Sequence, residues 1–198
     1  MRVPVSLDDS KEAVATFVTF DHLHDHKEHI AILFDPYKGS ATPTVRIHSE
    51  CLTGDVFHSL RCDCRQQLTE ALEMLSGQGG ILLYMRHEGR GIGLYNKLDA
   101  YHLQIEKGLD TFSANKELGY EGDLRSYEEA SQMLAALGIK KVKLLTNNPA
   151  KVNGLQQYGI EVSEMIPTRL GETKHNRSYL LSKKRSGHNL NISDDLSA

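Results

Sequence analysis

The sequence has no fourth cysteine, no excess of positive charge and no long hydrophobic run. Each absence excludes something. Three cysteines are an odd number, and the opening MRVPVSLDDSKEA lacks the apolar core of an export signal. A disulfide framework is therefore not expected, and the cytoplasm is the expected compartment. A formal charge of −3 argues against a general binder of nucleic acids or membrane surfaces. The paired C-x2-C ligands of a nucleic-acid zinc module are missing, and no apolar run approaches the roughly 18 residues of a membrane span. No internal repeat is present. Hydrophobic residues at 39% and charged residues at 25% are ordinary for a soluble globular protein, so composition leaves function to the motifs.

What is there falls into two patterns. AVATFVTF, EHIAILFD and TPTVRIHSE, all within the first fifty residues, are short, rich in β-branched and aromatic residues, and bounded by polar or Gly/Pro turns. After Cys64 the period becomes helical, with Leu68, Ala71, Leu72 and Leu75 on one face and Gly77, Gly79 and Gly80 as the stop. GILLYMR (80–86) reads as a buried strand, followed by a glycine-rich loop and a second helix with Leu94, Leu98, Tyr101 and Ile105 on one face. A polar stretch runs to Arg125. Ala130, Met133, Leu134 and Leu137 mark a third helix stopped by Gly138, VKLLT is a strand, and Asn148-Pro149 begins a fourth helix that Gly159 ends before IEVSEMI. The expected class is α/β: a mixed sheet with flanking helices and a β-rich N-terminal part, in a single compact domain over 1–182, then a polar, flexible tail over 183–198.

All three cysteines lie between Ile47 and Leu68, as C-x10-C-x-C at Cys51, Cys62 and Cys64. Two cysteines one residue apart do not pair easily with each other, but both can face one metal from a tight turn. Three soft sulfur ligands favour zinc. A catalytic zinc keeps one position open, which the missing fourth cysteine allows; His58 or His48 would instead close a structural Cys3His site. Both remain open on sequence. Three thiolates acidify bound water less than three imidazoles do, so an open site would benefit from a nearby acid/base group.

EGRGIGLYNK follows a strand and opens a helix, but Gly89, Gly91 and Gly93 make G-x-G-x-G, and Leu94 stands where the dinucleotide fingerprint needs glycine. A loop that touches a ligand with backbone and side chains is the better reading. Arg46, Arg61, Arg65, Arg86, Arg90, Lys97, Arg125 and Lys151 lie in or beside predicted loops, and convergent arginines suit a multiply charged anion such as a triphosphate. In TNNPAK (146–151), Thr146 and a helix start offer oxygen-binding groups, although capping by Asn148 explains the same letters.

Together, RIHSECLTGDVFHSLRCDC, YMRHEGRGIGLYNKLDAY, DLRSY at 123–127 and LLTNNPAKV closely resemble GTP cyclohydrolase II, from roughly residue 28 to 188. The resemblance implies a cytoplasmic homodimer acting on GTP in riboflavin synthesis, with one catalytic Zn²⁺ per chain and Mg²⁺ on the triphosphate. It implies zinc on Cys51, Cys62 and Cys64 with water as fourth ligand. Nucleotide contacts are implied at Arg46, Ile47, His48, Ser49, Glu50, Gln67, Glu88, Gly89, Arg90, Thr111, Thr146 and Lys151. Asp123 matches the acid/base residue, Arg125 the arginine at the α-phosphate, and Tyr101 a tyrosine beside the opened ring carbon. Gln67 and Glu88 are the residue types to read guanine's amide and amino groups. Arg65 stands where the family usually has glycine, which would crowd the metal turn or add a charge facing phosphate. The first thirty residues carry no functional assignment, and the chain has no room for the second domain fused in many relatives. Two other expectations stand beside this one: a relative with the same site that hydrates GTP without completing formate or pyrophosphate release, and a non-catalytic nucleotide-binding protein with a structural Cys3His zinc.

Overall fold

The first fifty residues give four strands, β1 (Arg2–Ser6), β2 (Glu12–Thr19), β3 (Ile30–Phe34) and β4 (Thr44–Ser49), alternating in exposure along β1 and buried almost throughout in β3 and β4. β5 (Gly80–Met85), β6 (Lys141–Leu145) and β7 (Glu161–Ile166) complete a sheet ordered β1-β2-β3-β5-β4-β6-β7. The helices are α1 (Cys64–Gln78), α2 (Leu94–Lys107), α3 (Thr111–Glu117), α4 (Glu128–Ala136), α5 (Pro149–Gln157) and α6 (Arg177–Arg185). The computed structural model describes every residue except 8–9, 36, 38–39, 121–122, 170 and 194–198.

The sheet is mixed for a topological reason. β1, β2, β3 and β5 pair antiparallel in turn, whereas β4 runs parallel to β5 and β6, and β6 parallel to β7. Parallel neighbours need long crossovers, which is where the helical period enters the sequence. The class is α/β, as the sequence patterns predict.

Contacts divide the chain into two compact units. Met1–Glu50, Gln66–Arg86 and Ser126–Arg169 form the first; Cys51–Arg65, His87–Arg125 and Leu170–Ala198 form the second. In the first unit, Ala71 and Leu75 of α1 pack with Ala15, Ile32, Phe34, Leu82 and Leu145 on one sheet face. On the other face, Met133 and Leu134 of α4 and Leu155 of α5 pack with Leu33, Val45, Ile47, Ile81, Leu83 and Leu144. β5 is covered on both faces, which is why it reads as a continuous apolar run. Each fully buried Leu, Ile, Val, Phe or Met side chain among them contributes about 1.5–3 kcal/mol of transfer free energy.

Both predicted glycine stops hold. Gly138 (φ 75°) and Gly159 (φ 81°) take left-handed conformations, and the next N–H groups, of Ile139 and Ile160, donate back to Leu134 and Leu155 carbonyls. Asn148 caps α5 by accepting from Ala150 N–H, with Pro149 behind it. Gly77 is a correction: it lies inside α1, which continues to Gln78 and meets a left-handed residue only at Gly79 (φ 78°). An interior glycine costs about 1 kcal/mol, and the face anchored by Ala71 and Leu75 tolerates it.

In the second unit α2 packs beside α3, and α3 beside α6. α3 lies in the stretch read as polar; Asp110 caps it, accepting from the Phe112 and Ser113 N–H groups. α2 does not bury the whole apolar stripe that its spacing lays along one face. Lys97 and Ala100 are buried and Tyr101 half-buried, while Leu98 is 44% and Ile105 69% exposed. Part of the apolar stripe therefore faces outward in this chain, and a cation faces in. The segment expected to be a tail from 183 contains the end of α6, the buried Lys183, and Leu190 and Ile192, which pack on Leu180 and Leu181. Its last residues, 194–198, lie outside those described. Among the described residues no helix is long and apolar enough to cross a membrane.

Candidate active site

The cysteine cluster belongs to the second unit. Leu52–Val56 form a short π-helical turn after Cys51, closed by Asp55: its carboxylate accepts from Cys51 N–H (3.0 Å), and its own N–H donates to the Cys51 carbonyl (2.7 Å). Cys64 begins α1, with Cys62 just before it. The three Sγ atoms lie within 4.8 Å of one another, and those of Cys51 and Cys62 are 3.7 Å apart, too far for a disulfide. Gly54 is what lets them meet. A Cβ there would sit 2.9 Å from Cys62 Sγ and 3.1 Å from Cys51 Sγ. No sequence signal singles out Gly54 beyond its place between the cysteines. Arg65 is exposed at the second position of α1.

Lys97, which the sequence offers only as one basic residue among eight, is the cation of this cluster. From 9% exposure its Nζ donates to Cys51 Sγ (3.1 Å), Thr53 Oγ1 (3.1 Å) and Glu88 Oε1 (2.8 Å). Burial pulls the Lys97 ammonium toward the neutral form, but Tyr101, Cys51 and Glu88 outweigh it and raise its pKa. Glu88 is committed on both oxygens: Oε2 accepts from Leu52 N–H (2.6 Å), and Oε1 also from Gly89 N–H (2.8 Å). It thus ties the glycine-rich loop to the residue after Cys51.

These contacts set the proton distribution of the sulfurs. S–H groups of Cys62 and Cys64 donate to Cys51 and, with Lys97, hold its thiol far below the usual range. Cys62 is pushed up to about 11, first by its bond to Cys51, and Cys64 higher still, first by its bonds to Cys51 and Cys62. A divalent cation bound there would displace protons held on the sulfurs. Three close, soft donors beside a glycine cradle fit zinc. His58 is exposed, and no histidine or carboxylate among the described residues joins the three-sulfur group.

The glycine-rich loop is no plain strand–helix turn. Gly89 (φ 60°) and Arg90 (φ 61°) are consecutive left-handed residues, which for Arg90 costs about 1–2 kcal/mol. Leu124 N–H donates to the Arg90 carbonyl (3.1 Å), and a Cβ on Gly91 would lie 3.2 Å from the Leu124 side chain. The loop is thereby joined to the segment that carries Asp123 and Arg125. The Arg90 guanidinium lies over the Phe112 ring at 4.4 Å, next to Thr111 at the start of α3. Arg125 donates from Nε to Asp123 (2.7 Å), and its NH2 group donates to the other carboxylate oxygen. Burial pushes the Asp123 carboxyl up, but Arg125 more than offsets this and holds it below the usual carboxylate range. Tyr101 has the Arg61 guanidinium over its ring at 4.9 Å and Lys97 Nζ at 5.6 Å, and burial above all pushes its hydroxyl up to about 12.

The other expected nucleotide contacts belong to the first unit. Arg46 is buried, donating from one nitrogen to the Leu145 carbonyl (3.0 Å) and from another to Gln67 Oε1 (2.7 Å). Ile47 is core, and its carbonyl accepts from the buried Lys151 Nζ (2.7 Å). His48 is buried and stacked on Tyr84, with ring centroids 5.5 Å apart; Ser49 ends β4 half-buried. Glu50 accepts from Arg86 Nε (2.9 Å) beside a cavity of about 580 Å³ lined also by His29 and Tyr84. Thr146 is buried, and its hydroxyl accepts from Asn148 N–H (3.0 Å) at the start of α5. Within this unit the structure joins Arg46 to Gln67 and Ile47 to Lys151; within the second it joins the three cysteines to Glu88, and the loop to Asp123–Arg125.

Comparison with known proteins gives this constellation its relatives. Residues 4–167 match the GTP cyclohydrolase II family. The chain is 51% identical over 192 residues to the GTP cyclohydrolase-2 of Aliivibrio fischeri, covering 96% of each, and 53% identical over 189 residues to that of Psychromonas ingrahamii, covering 94% of each. It is also 49% identical over 175 residues to the riboflavin biosynthesis protein RibBA of Endomicrobium trichonymphae, covering 87% of this chain and 43% of that longer one. With half of its residues shared across nearly its whole length, the chain is a hydrolase and belongs to the GTP cyclohydrolase II family.

Proposed function

We propose that the protein hydrolyses GTP, with zinc on Cys51, Cys62 and Cys64 and Mg²⁺ on the triphosphate, to a diaminopyrimidinone ribosylamino phosphate, formate and pyrophosphate. This is the first committed step of riboflavin synthesis, carried out in the cytoplasm. The observation that carries it is the three-sulfur cluster with Lys97 on Cys51, in one unit with the Asp123–Arg125 pair. When bound, zinc supplies a Lewis acid that activates water for attack on the electrophilic purine C8.

The chain's own residues do the rest. Tyr101 stays protonated at neutral pH, so it donates to a ring nitrogen as the five-membered ring opens. Asp123, held ionised by Arg125, accepts the proton of the second water, whose addition releases formate. Arg125 and Arg90 offer positive charge for the triphosphate, and Mg²⁺ would enter with the phosphates rather than needing a cage of carboxylates. Purified protein incubated with GTP and Mg²⁺, with all products identified by mass, tests the reading. Formate, pyrophosphate and the pyrimidine together are expected. A hydrated or formylated nucleotide without formate or pyrophosphate would instead identify a relative that stops early.

Base selection is assigned to Gln67, whose Oε1 is held by Arg46, rather than to Glu88, both of whose oxygens accept from Leu52, Gly89 and Lys97. GTP should be strongly preferred over ATP, since the wrong base leaves polar groups unmatched. Gln67→Ala is expected to narrow that preference. Glu88→Ala is expected to lower turnover of both nucleotides, together with zinc content, by about 10–100-fold. Comparing kcat/KM for GTP and ATP in both variants decides it; selectivity lost in Glu88→Ala at full zinc content would return base reading to Glu88.

The homodimer is supported by exposed Tyr95, Leu98 and Ile105 on α2, spaced three and seven residues apart along one helix. Ile105→Glu with Leu98→Glu is expected to yield monomers by analytical ultracentrifugation. A dimer of unchanged strength would place the interface elsewhere.

A further inference from the structure

The aspartate between the two close-set cysteines has its own buried partner. Asp63 is 1% exposed, and its carboxylate accepts from Lys183 Nζ at 2.6 Å. Lys183, 8% exposed, comes from α6, 120 residues along the chain, and its ammonium also lies 4.7 Å from the centre of the Tyr179 ring. α6 is anchored by its own apolar cluster: Leu180 and Leu181 with Leu190 and Ile192, and Tyr179 against them. It lies beyond residues 4–167, the span matched to the family.

A buried ion pair adds little net stability, because removing both charges from water offsets most of their attraction. What it does supply is geometry. Fixing the side chain of residue 63 fixes the peptide units on either side, and these carry Cys62 and Cys64. Partners one step behind metal ligands commonly change metal affinity by about 10–100-fold.

We propose that α6 is part of the metal centre, with Lys183 a positioning residue that holds the C-x-C turn in its metal-binding shape through Asp63. The proposal rests on the metal reading above. It is tested on the full chain with Lys183→Met, Lys183→Arg, Asp63→Asn and the double variant Asp63→Asn/Lys183→Met. Zinc affinity is measured by competition with a chelator, and Co²⁺ loading by its sulfur-to-metal and d–d absorption bands. Lys183→Met is expected to weaken zinc binding by about 10–100-fold and to shift the d–d bands. Lys183→Arg should keep most of the affinity. The double variant should recover part of the loss and not all of it, since it leaves no unmatched buried charge yet has no clamp. Wild-type affinity and an unchanged Co²⁺ spectrum in Lys183→Met overturn the proposal. Should that variant not fold, wild-type affinity in the double variant overturns it equally. Wild-type protein that takes up neither zinc nor cobalt overturns the metal reading itself, a different failure.

Discussion

Cys51→Ser should abolish stable zinc binding, Cys62→Ser and Cys64→Ser should weaken it, and all three should lose formate release. Structural zinc sites bind with about 10–16 kcal/mol, spread over their ligands. One ligand then accounts for about 3–4 kcal/mol, a loss of a few hundredfold in affinity or more. The three variants should not be equivalent. Cys51 receives both the Lys97 ammonium and the S–H groups of the other two, so replacing it removes the sulfur that carries the cluster's charge. Lys97 and Glu88 would be left as a buried pair facing a neutral oxygen. Cys62→Ser and Cys64→Ser leave that pair and Cys51 in place, and should keep weaker, measurable zinc binding. In the wild type, Cys62 and Cys64 hold their protons to high pH, so metal must displace them. Apparent zinc affinity should therefore rise with pH and zinc should be shed on acidification. Metal analysis of purified variants, with formate and pyrophosphate assayed separately, checks all of this. Full zinc content in Cys51→Ser, or formate release from zinc-free wild-type protein, would overturn it.

What was legible in the sequence follows from how local each signal is. Gly138, Gly159 and Asn148-Pro149 announce helix ends because a cap is built from residues within one turn of each other. The convergence of Cys51, Cys62 and Cys64 is legible for the same reason, since C-x10-C-x-C leaves little chain between the sulfurs. Lys97 was hidden by the rule that usually works. Helical periodicity assigns the apolar stripe of α2 to the interior, but here the interior is a polar cluster that needs a cation, and Leu98 and Ile105 face outward. Glu88 has the residue type of a base reader, and only its three donors show it holding the turn after Cys51. The Asp63–Lys183 pair spans 120 residues, a separation across which no spacing pattern exists. α3 and α6 are short and largely polar, and tertiary contacts rather than periodicity hold them.

Arg125→Ala separates the two halves of the reaction. In the proposed reaction, ring opening belongs to the base, and pyrophosphate loss to the α-phosphate at the other end of the nucleoside. Removing a transition-state contact to a charged oxygen typically costs on the order of 3 kcal/mol, so pyrophosphate release should fall roughly a hundredfold while zinc content holds. The structure adds a second consequence. Arg125 is the main group that lowers the Asp123 carboxyl, against burial that pushes it up. Without the guanidinium, burial is opposed less and the Asp123 carboxyl rises. If Asp123 must be ionised to accept a proton, the acid limb of formate release should move to higher pH in Arg125→Ala. Arg125→Lys keeps the charge but not the two-point grip, so its shift should be smaller. Asp123→Asn should instead impair formate release at every pH and leave GTP affinity nearly intact. The measurements are zinc content, GTP affinity, and the pH profiles of formate and pyrophosphate for each variant. Pyrophosphate released at the wild-type rate by Arg125→Ala would remove Arg125 from that step and pass it to Arg90. An unmoved acid limb would show that Asp123 is not the base for formate release, whatever Arg125 does at the phosphate.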